Sequence, residues 1–448
     1  MTIEMQSIGI LEKAMHKLTE GYTDLPEFQT EYDQQRAEDV LLLAAERMWD
    51  NYPYPHPLYA GQMLKPPHPV ARMAYMMAMW INPNNHALDG GKASSAMEKE
   101  AVAGIAKMFG WQEHLGHLTG GGTLANLEAL WIANQVHPGK KIVASQQAHY
   151  THNRICGVLQ IPFESVAVDD NARMDVAALE EKLKLGDIGT VVVTLGTTAV
   201  GSVDPLPEIL ALQDKYDFRI HIDSAYGGYY KLVDTLPSNV CDAFALTHRV
   251  DSIVIDPHKH GLQPYGCGCV VFKDPEVGRF YKHDSPYTYF SSEELHLGEI
   301  SLECSRAGAS AVALWTTMQM FPLQASGEFA NGLVSCRRAA EALFSRLAQD
   351  DRFITPLVPD MDIVMWASKA MSTSEISRLS DQTFHAAEKQ HLYLATFSFP
   401  SHLIQKAYPE VVVDSEYTTC LRSSLMKPEH LDWLDRIWLI LDKVQNEL

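Results

Sequence analysis

Between about residue 95 and residue 275, short β-branched runs alternate with amphipathic segments, and nothing else in the chain constrains its fold as strongly. "KKIVAS", "ESVAVD", "IGTVVVTLG", "RIHIDSA" and "SIVI" read as strands. "MEKEAVAGIAKMFGW", "TLANLEALWIANQ", "HNRICGVLQI", "DVAALEEKLKLG" and "LPEILALQDKY" read as helices. Strands that are apolar along their whole length are covered on both faces. The expected class is therefore α/β, a mostly parallel sheet sandwiched by helices. Such sheets gather functional groups beyond the carboxyl ends of their strands, so the chemistry is sought in the segments that leave each strand.

The flanks differ. Residues 1–65 hold helical patterns and then a proline-rich arm, "YPYPHPLYAGQMLKPPHP", which can be neither helix nor central strand. It reads as an extended loop laid over another surface. "VARMAYMMAMWINP" reads as a methionine-rich helix suited to core or dimer packing, or to a channel wall. Residues 305–348 are strongly helical, and from about 352 strands and helices mix. The expected division is an N-terminal helical segment and arm (1–65), a large domain (66–350) and a smaller C-terminal α+β domain (351–448).

A formal charge of −20 without any basic block argues against nucleic acid or an anionic membrane as the main partner. Seven scattered cysteines, an odd number, fit reduced thiols better than a disulfide framework. The N-terminus lacks signal-peptide features, and no run reaches the ~18 apolar residues of a membrane span. A cytoplasmic setting is expected.

Five segments carry candidate groups. "HLTGGGTLANLEAL" opens a helix with Gly120, Gly121 and Gly122, followed by Thr123. Glycines let backbone amides approach a ligand, and a helix start favours an anion such as phosphate. The segment matches neither the P-loop nor the dinucleotide fingerprint, and a plain glycine-rich turn stays open. "SQQAHYTHNRICG" places His149 just after a strand. "VVVTLGTTAVGSVDP" ends a strand with Thr197 and Thr198, and "RIHIDSAYGG" ends one with Asp223, Ser224 and Ala225. A carboxylate there needs a cation or donors. Finally "DSIVIDPHKHG" brings Lys259, between His258 and His260, to the mouth of the sheet. Each signal alone has a structural reading. Together they offer an anion site, a ring that can stack, a buried acid and an amine. Pyridoxal 5'-phosphate needs that set: phosphate, flat ring, pyridinium nitrogen and aldehyde.

Through "DGGKASSAMEKEAV", "TGGGTLANLEAL", "QQAHYT", "GTTAVGSVDP", "HIDSAYGG", "DPHKHG" and "SLECSRAGASAVALW", the chain resembles the group II pyridoxal-phosphate-dependent amino acid decarboxylases from about residue 50 to 448. The resemblance implies a fold-type I architecture and a homodimer whose sites are completed by the second subunit. It makes Lys259 the residue of the internal aldimine, Asp223 the partner of the pyridinium nitrogen, and Ala225 the packing beneath the ring. His149 stacks on the other face, Thr197 or Thr198 lies near the ring oxygen, and His258 lies near phosphate or substrate. Gly121, Gly122 and Thr123 hold the phosphate. Family members carry a proton-donating tyrosine about thirty residues after the lysine; in "KHDSPYTYFSSEEL" the candidates are Tyr289 and Tyr287. Arg422 in "CLRSSL" matches an arginine that contacts a substrate carboxylate, with Arg306 a second candidate, and Tyr59 lies in the segment expected to line the substrate pocket.

The chain departs from the family where Gly120 replaces a common serine, removing one phosphate hydroxyl. "CSRAG" lies closer to the archaeal tyrosine/aspartate decarboxylases and sphingosine-phosphate lyases. The expected reaction is decarboxylation of an L-amino acid to its amine, its substrate open, with an aminotransferase or carbon–carbon lyase as the alternative. A metal site from His258, His260, Cys267 and Cys269, or a non-catalytic scaffold, leaves Lys259, Asp223 and the glycines unexplained. No metal is expected.

Overall fold

The computed structural model describes residues 5–26, 28–282 and 296–448. Seven strands form the large sheet: β1 (Leu115–Thr119), β2 (Lys141–Ser145), β3 (Phe163–Val166), β4 (Ile188–Thr194), β5 (Arg219–Asp223), β6 (Ser252–Ile255) and β7 (Gly268–Phe272). Their order across the sheet is β1-β7-β6-β5-β4-β2-β3. The pairs β2–β3, β2–β4, β4–β5 and β5–β6 are parallel, whereas β7 runs antiparallel to both β6 and β1. Two reversals leave β1 pointing the same way as β6, so Thr119 and Ile255 end on one edge.

The expected strands and helices form, and the reason is burial. Every residue of β4 and β6 is buried, with Val191, Val192 and Val193 fully so. Full burial on both faces explains why β4 carries the unbroken run Val191–Val193 instead of alternating. The helices Leu88–Met108, Gly122–Val136, Thr151–Leu159, Val176–Leu183 and Leu206–Gln213 cover it. One feature was not expected: β1, "LGHLT", has no β-branched run. The helical stretch 305–348 forms Gly308–Met320 and Glu328–Ala348.

A second, four-stranded antiparallel sheet holds β8 (Phe353–Ile354), β9 (Ile363–Ser368), β10 (Ala395–Pro400) and β11 (Tyr417–Ser424), ordered β10-β11-β9-β8. The helices Thr373–Lys389 and His430–Glu447 pack with it. The proline-rich arm lies against this sheet: Tyr59 bridges Tyr393, Ala60 N–H donates to Tyr393 O at 2.9 Å, and Ser424 N–H donates to Ala60 O at 2.7 Å. Among the described residues no helix is long and apolar enough to cross a membrane.

Candidate active site

A cavity of about 440 Å³ opens at the carboxyl edge of the large sheet, walled by the segments that leave β1, β2, β4, β5 and β6. Gly121 and Gly122 open the helix after β1, whose first amides have no intrahelical acceptor. A Cβ on Gly122 would lie 2.7 Å from Asp256 Oδ2, so only glycine allows the helix start and the β6 turn to meet. Asn126 fastens that start from within. Its Nδ2 donates to Gly122 O at 2.9 Å, and its Oδ1 meets His221 Nε2 at 2.9 Å. Burial pushes His221 down to about 3, so the neutral ring donates to Asn126 and accepts from Ser252 Oγ.

Asp223 ends β5 and is buried. Its Oδ2 lies 2.9 Å from His152 Nε2, and its Oδ1 accepts from Ala225 N–H at 3.0 Å. Burial alone would raise its carboxyl. The bond and charge of His152, the Ala225 amide and nearby Lys259 outweigh it and hold the group well below the usual carboxylate range. The acid therefore stays ionised in a dry place.

Lys259, with a side chain 21 % exposed, points its Nζ to 3.1 Å from Asp256 Oδ2. The turn that carries it is fixed by His258 N–H to Cys267 O at 3.1 Å and Lys259 N–H to Asp256 O at 2.9 Å. His258 Nε2 stands 3.6 Å from the same carboxylate, and burial lowers its basicity. His149 lines the cavity, and burial likewise favours its neutral ring. Its Nδ1 accepts from Thr151 N–H at 3.3 Å, which leaves the proton on Nε2.

The structure thus brings Gly121, Gly122, Thr123, His149, Thr198, Asp223, Ala225, His258 and Lys259 around one cavity. Of the two threonines considered for the ring oxygen, Thr197 is not in that wall. Its Oγ1 lies 2.9 Å from Ser202 Oγ and accepts from Ser202 N–H at 3.0 Å, holding the turn after β4. Tyr59 is a buried residue of the arm: its carbonyl accepts from Lys427 Nζ at 2.6 Å, and it joins Tyr52, Gln62 and Tyr393 around a separate cleft. Arg306 is tied into a buried ion pair with Glu98 at 2.7 Å and donates to Leu118 O. Tyr287 and Tyr289 lie outside the described residues.

Arg422 is buried on β11. It donates to Thr198 O at 2.5 Å and Gln62 Oε1 at 2.7 Å, both neutral acceptors, and its Nε has no partner among the described residues. Among the described residues no carboxylate pairs with it. Sequence reasoning missed His152, Asp256, Asn126 and Gln62. Only Asp256, an acid three residues before the lysine in one turn, carried a local signal. Among the described residues no three His, Cys, Asp or Glu side chains converge as a metal set.

The family model of the pyridoxal-dependent decarboxylase conserved domain matches residues 68–369. The L-tyrosine decarboxylase of Enterococcus faecium is 27 % identical over 72 % of this chain and 70 % of its own. A protein of Halobacterium salinarum named "Probable L-aspartate decarboxylase" is 32 % identical over 57 % of this chain and 70 % of its own. Among solved structures, mouse CSAD superposes with a TM-score of 0.79 at 18 % identity, covering 97 % of this chain and 92 % of that one. Oryza sativa TDC with PLP and tryptamine gives 0.77 at 17 %, covering 100 % and 99 %. At such identities these likenesses establish the shared fold.

Proposed function

The chain belongs to the pyridoxal-dependent decarboxylase family, with pyridoxal 5'-phosphate as its cofactor, and from that premise we propose that it converts an L-amino acid to its amine and carbon dioxide on Lys259. The observation that carries this reading is the convergence of Lys259, Asp223 and the helix start at Gly122 on one cavity. The residues fit the group. A helix start without a Cβ at Gly122 suits the phosphate, ionised Asp223 suits the ring nitrogen, and Ala225 and His149 suit its two faces.

When bound, the cofactor supplies a conjugated ring that accepts the electron pair of the bond cleaved at the substrate's α-carbon. Lys259, whose Nζ points into the cavity at 3.1 Å from Asp256 Oδ2, would hold the cofactor through its amine. Asp223, kept anionic by His152, holds a proton at the ring nitrogen. Arg422, a buried cation whose hydrogen bonds among the described residues go to neutral oxygens, receives the substrate carboxylate. The Cα–carboxyl bond breaks, carbon dioxide leaves, and the α-carbon takes up a proton. We assign that proton to Tyr289, or to Tyr287, on sequence grounds.

The reading extends to a homodimer and to the division 1–65, 66–350 and 351–448. The helix Gln34–Arg47 has no buried residue, yet Val40, Leu41, Leu42 and Leu43 are all apolar and exposed, which suits cover by a second subunit. All seven cysteines are free, in keeping with a reducing compartment such as the cytoplasm.

The test is mass spectrometry of products after incubating cofactor-loaded protein with a panel of amino acids that includes tyrosine and aspartate. One input minus carbon dioxide is expected, and Lys259→Ala should abolish it. A keto acid or an aldehyde fragment would replace decarboxylation by transamination or carbon–carbon cleavage. Turnover retained in Lys259→Ala would overturn the assignment of the lysine.

A further inference from the structure

Behind the cofactor cavity lies a second buried polar centre that the reaction above does not use. Asp362, fully buried, immediately precedes β9 in the small sheet. Its Oδ1 accepts from the Tyr226 hydroxyl at 2.7 Å, and its Oδ2 stands 3.2 Å from Nε2 of His260, also fully buried. These contacts join distant segments. His260 directly follows Lys259, while Tyr226 directly follows Ala225 and lines the cavity. The Tyr226 and His260 rings meet edge-on at 4.7 Å, with Tyr230 against the other side of His260 at 5.3 Å. On the small-sheet side, Asp362 O accepts from Leu425 N–H at 2.8 Å, and β9 pairs with β11 so that Met365 lies opposite Arg422.

A carboxylate held wholly out of water persists only where donors and positive charge compensate it. Here they come from the Tyr226 hydroxyl, which donates to Oδ1, and from the His260 imidazole, whose Nε2 stands 3.2 Å from Oδ2 as an electrostatic contact; Lys65, Cys336 and His430 are further titratable groups facing the site. The same compensation requires that all of these groups stay where they are. Moving the small sheet would strand an anion; moving the Lys259 turn would remove its imidazole.

We propose that Asp362 is a positioning residue, which through His260 and Tyr226 locks the Lys259 and Asp223 segments to the sheet that carries Arg422. The proposal rests on the reading of Lys259 and Arg422 given above. It makes one buried charge set the relation between the amine that holds the cofactor and the cation that holds the substrate.

The test uses the full chain loaded with pyridoxal 5'-phosphate, in the variants Asp362→Asn, His260→Gln, their double, and Tyr226→Phe. Asp362→Asn is nearly isosteric, removes the charge and replaces one acceptor oxygen with an amide nitrogen. It should change the visible circular dichroism of the bound cofactor, which reports ring orientation, and lower kcat about tenfold or more with a smaller change in KM. The double variant should be no worse than either single one, because both break the same pair. Tyr226→Phe, which keeps the ring, should show the same spectral change and covers the case in which Asp362→Asn does not fold. Unchanged dichroism and kcat with only a lower melting temperature would make Asp362 merely structural and overturn the proposal. Strictly additive effects of Asp362→Asn and His260→Gln would overturn the pair. Failure of the underlying reading shows separately, as turnover retained in Lys259→Ala.

Discussion

His152 Nε2 stands 2.9 Å from Asp223 Oδ2, both side chains buried, and this contact keeps a carboxylate ionised at the end of β5. The carboxyl is held below its usual range although burial acts to raise it. A depressed acid stabilises the fold above its unfolded value, near pH 4, and that contribution is lost as pH falls through the folded value. In His152→Ala the burial effect is no longer opposed by the imidazole. The acid side of the stability profile should move upward, and the fold should lose about 1–3 kcal/mol at neutral pH. Melting temperature measured from pH 3 to 7 checks this; a variant profile parallel to wild type would contradict it.

Gly122→Ala probes the cofactor cradle. The backbone there is helical and tolerates alanine, so the only obstacle is the new Cβ at 2.7 Å from Asp256 Oδ2 and 2.9 Å from Oδ1. Displacing that carboxylate disturbs the 3.1 Å contact to Lys259 Nζ. Cofactor affinity should fall tenfold or more, about 1.4 kcal/mol, by titration of visible absorption. Gly120→Ala, whose Cβ meets only Glu303 at 3.4 Å, should fall much less. Equal loss in both would point to general damage of the loop.

What the sequence revealed, and what it hid, follows from the range of the forces involved. β4 and β6 were legible because burial on both faces gives them unbroken apolar runs, Val191–Val193 and Ile253–Ile255. Asp223 was legible because it stands where β5 stops, and Lys259 because it follows the end of β6. β1 was not, because its composition answers to distant partners. A Cβ on Gly116 would lie 2.7 Å from Val270 O, and buried His117 meets Glu128 Oε2 at 2.9 Å. His152 was hidden for the same reason: its partner Asp223 lies 71 residues away in the chain. Thr197 and Thr198 are neighbours that sequence could not separate. The turn decides, directing Thr197 to Ser202 and leaving Thr198 in the cavity wall.

Asp204 should give a pH dependence of the opposite sign. Burial pushes its carboxyl up to about 6, although Thr194 N–H and Met174 N–H both donate to it. Between about pH 4 and 6 the folded chain therefore binds more protons here than the unfolded chain does. Stability from this group falls as pH rises through that window and stays lost above it, by about 3 kcal/mol at the limit. Asp204→Asn should flatten that part of the profile. It should also cost about 1–3 kcal/mol, because an amide nitrogen must then face one of the two backbone donors. Denaturant midpoints at pH 4.5 and 7 measure both effects, and an unchanged slope between them would show that Asp204 is ionised throughout.

Arg422 separates binding of substrate from binding of cofactor. Its guanidinium is buried, which lowers its basicity, and it rests on Thr198 O and Gln62 Oε1 without a carboxylate among the described residues. A buried cation so placed gains most when a ligand supplies the missing charge. Arg422→Lys keeps the charge but loses the planar fork, so KM should rise about 10- to 100-fold, the worth of a charge-assisted hydrogen bond. Cofactor absorption should be unaffected, since among the described residues the hydrogen bond of Arg422 to the cavity wall goes to the Thr198 carbonyl. Gln62→Ala, which removes one acceptor and leaves the guanidinium freer, should change KM in the same direction by less. Steady-state kinetics beside a cofactor titration decide the matter. If cofactor affinity falls in step with KM, Arg422 acts by holding the turn after β4, and the substrate carboxylate must be bound elsewhere.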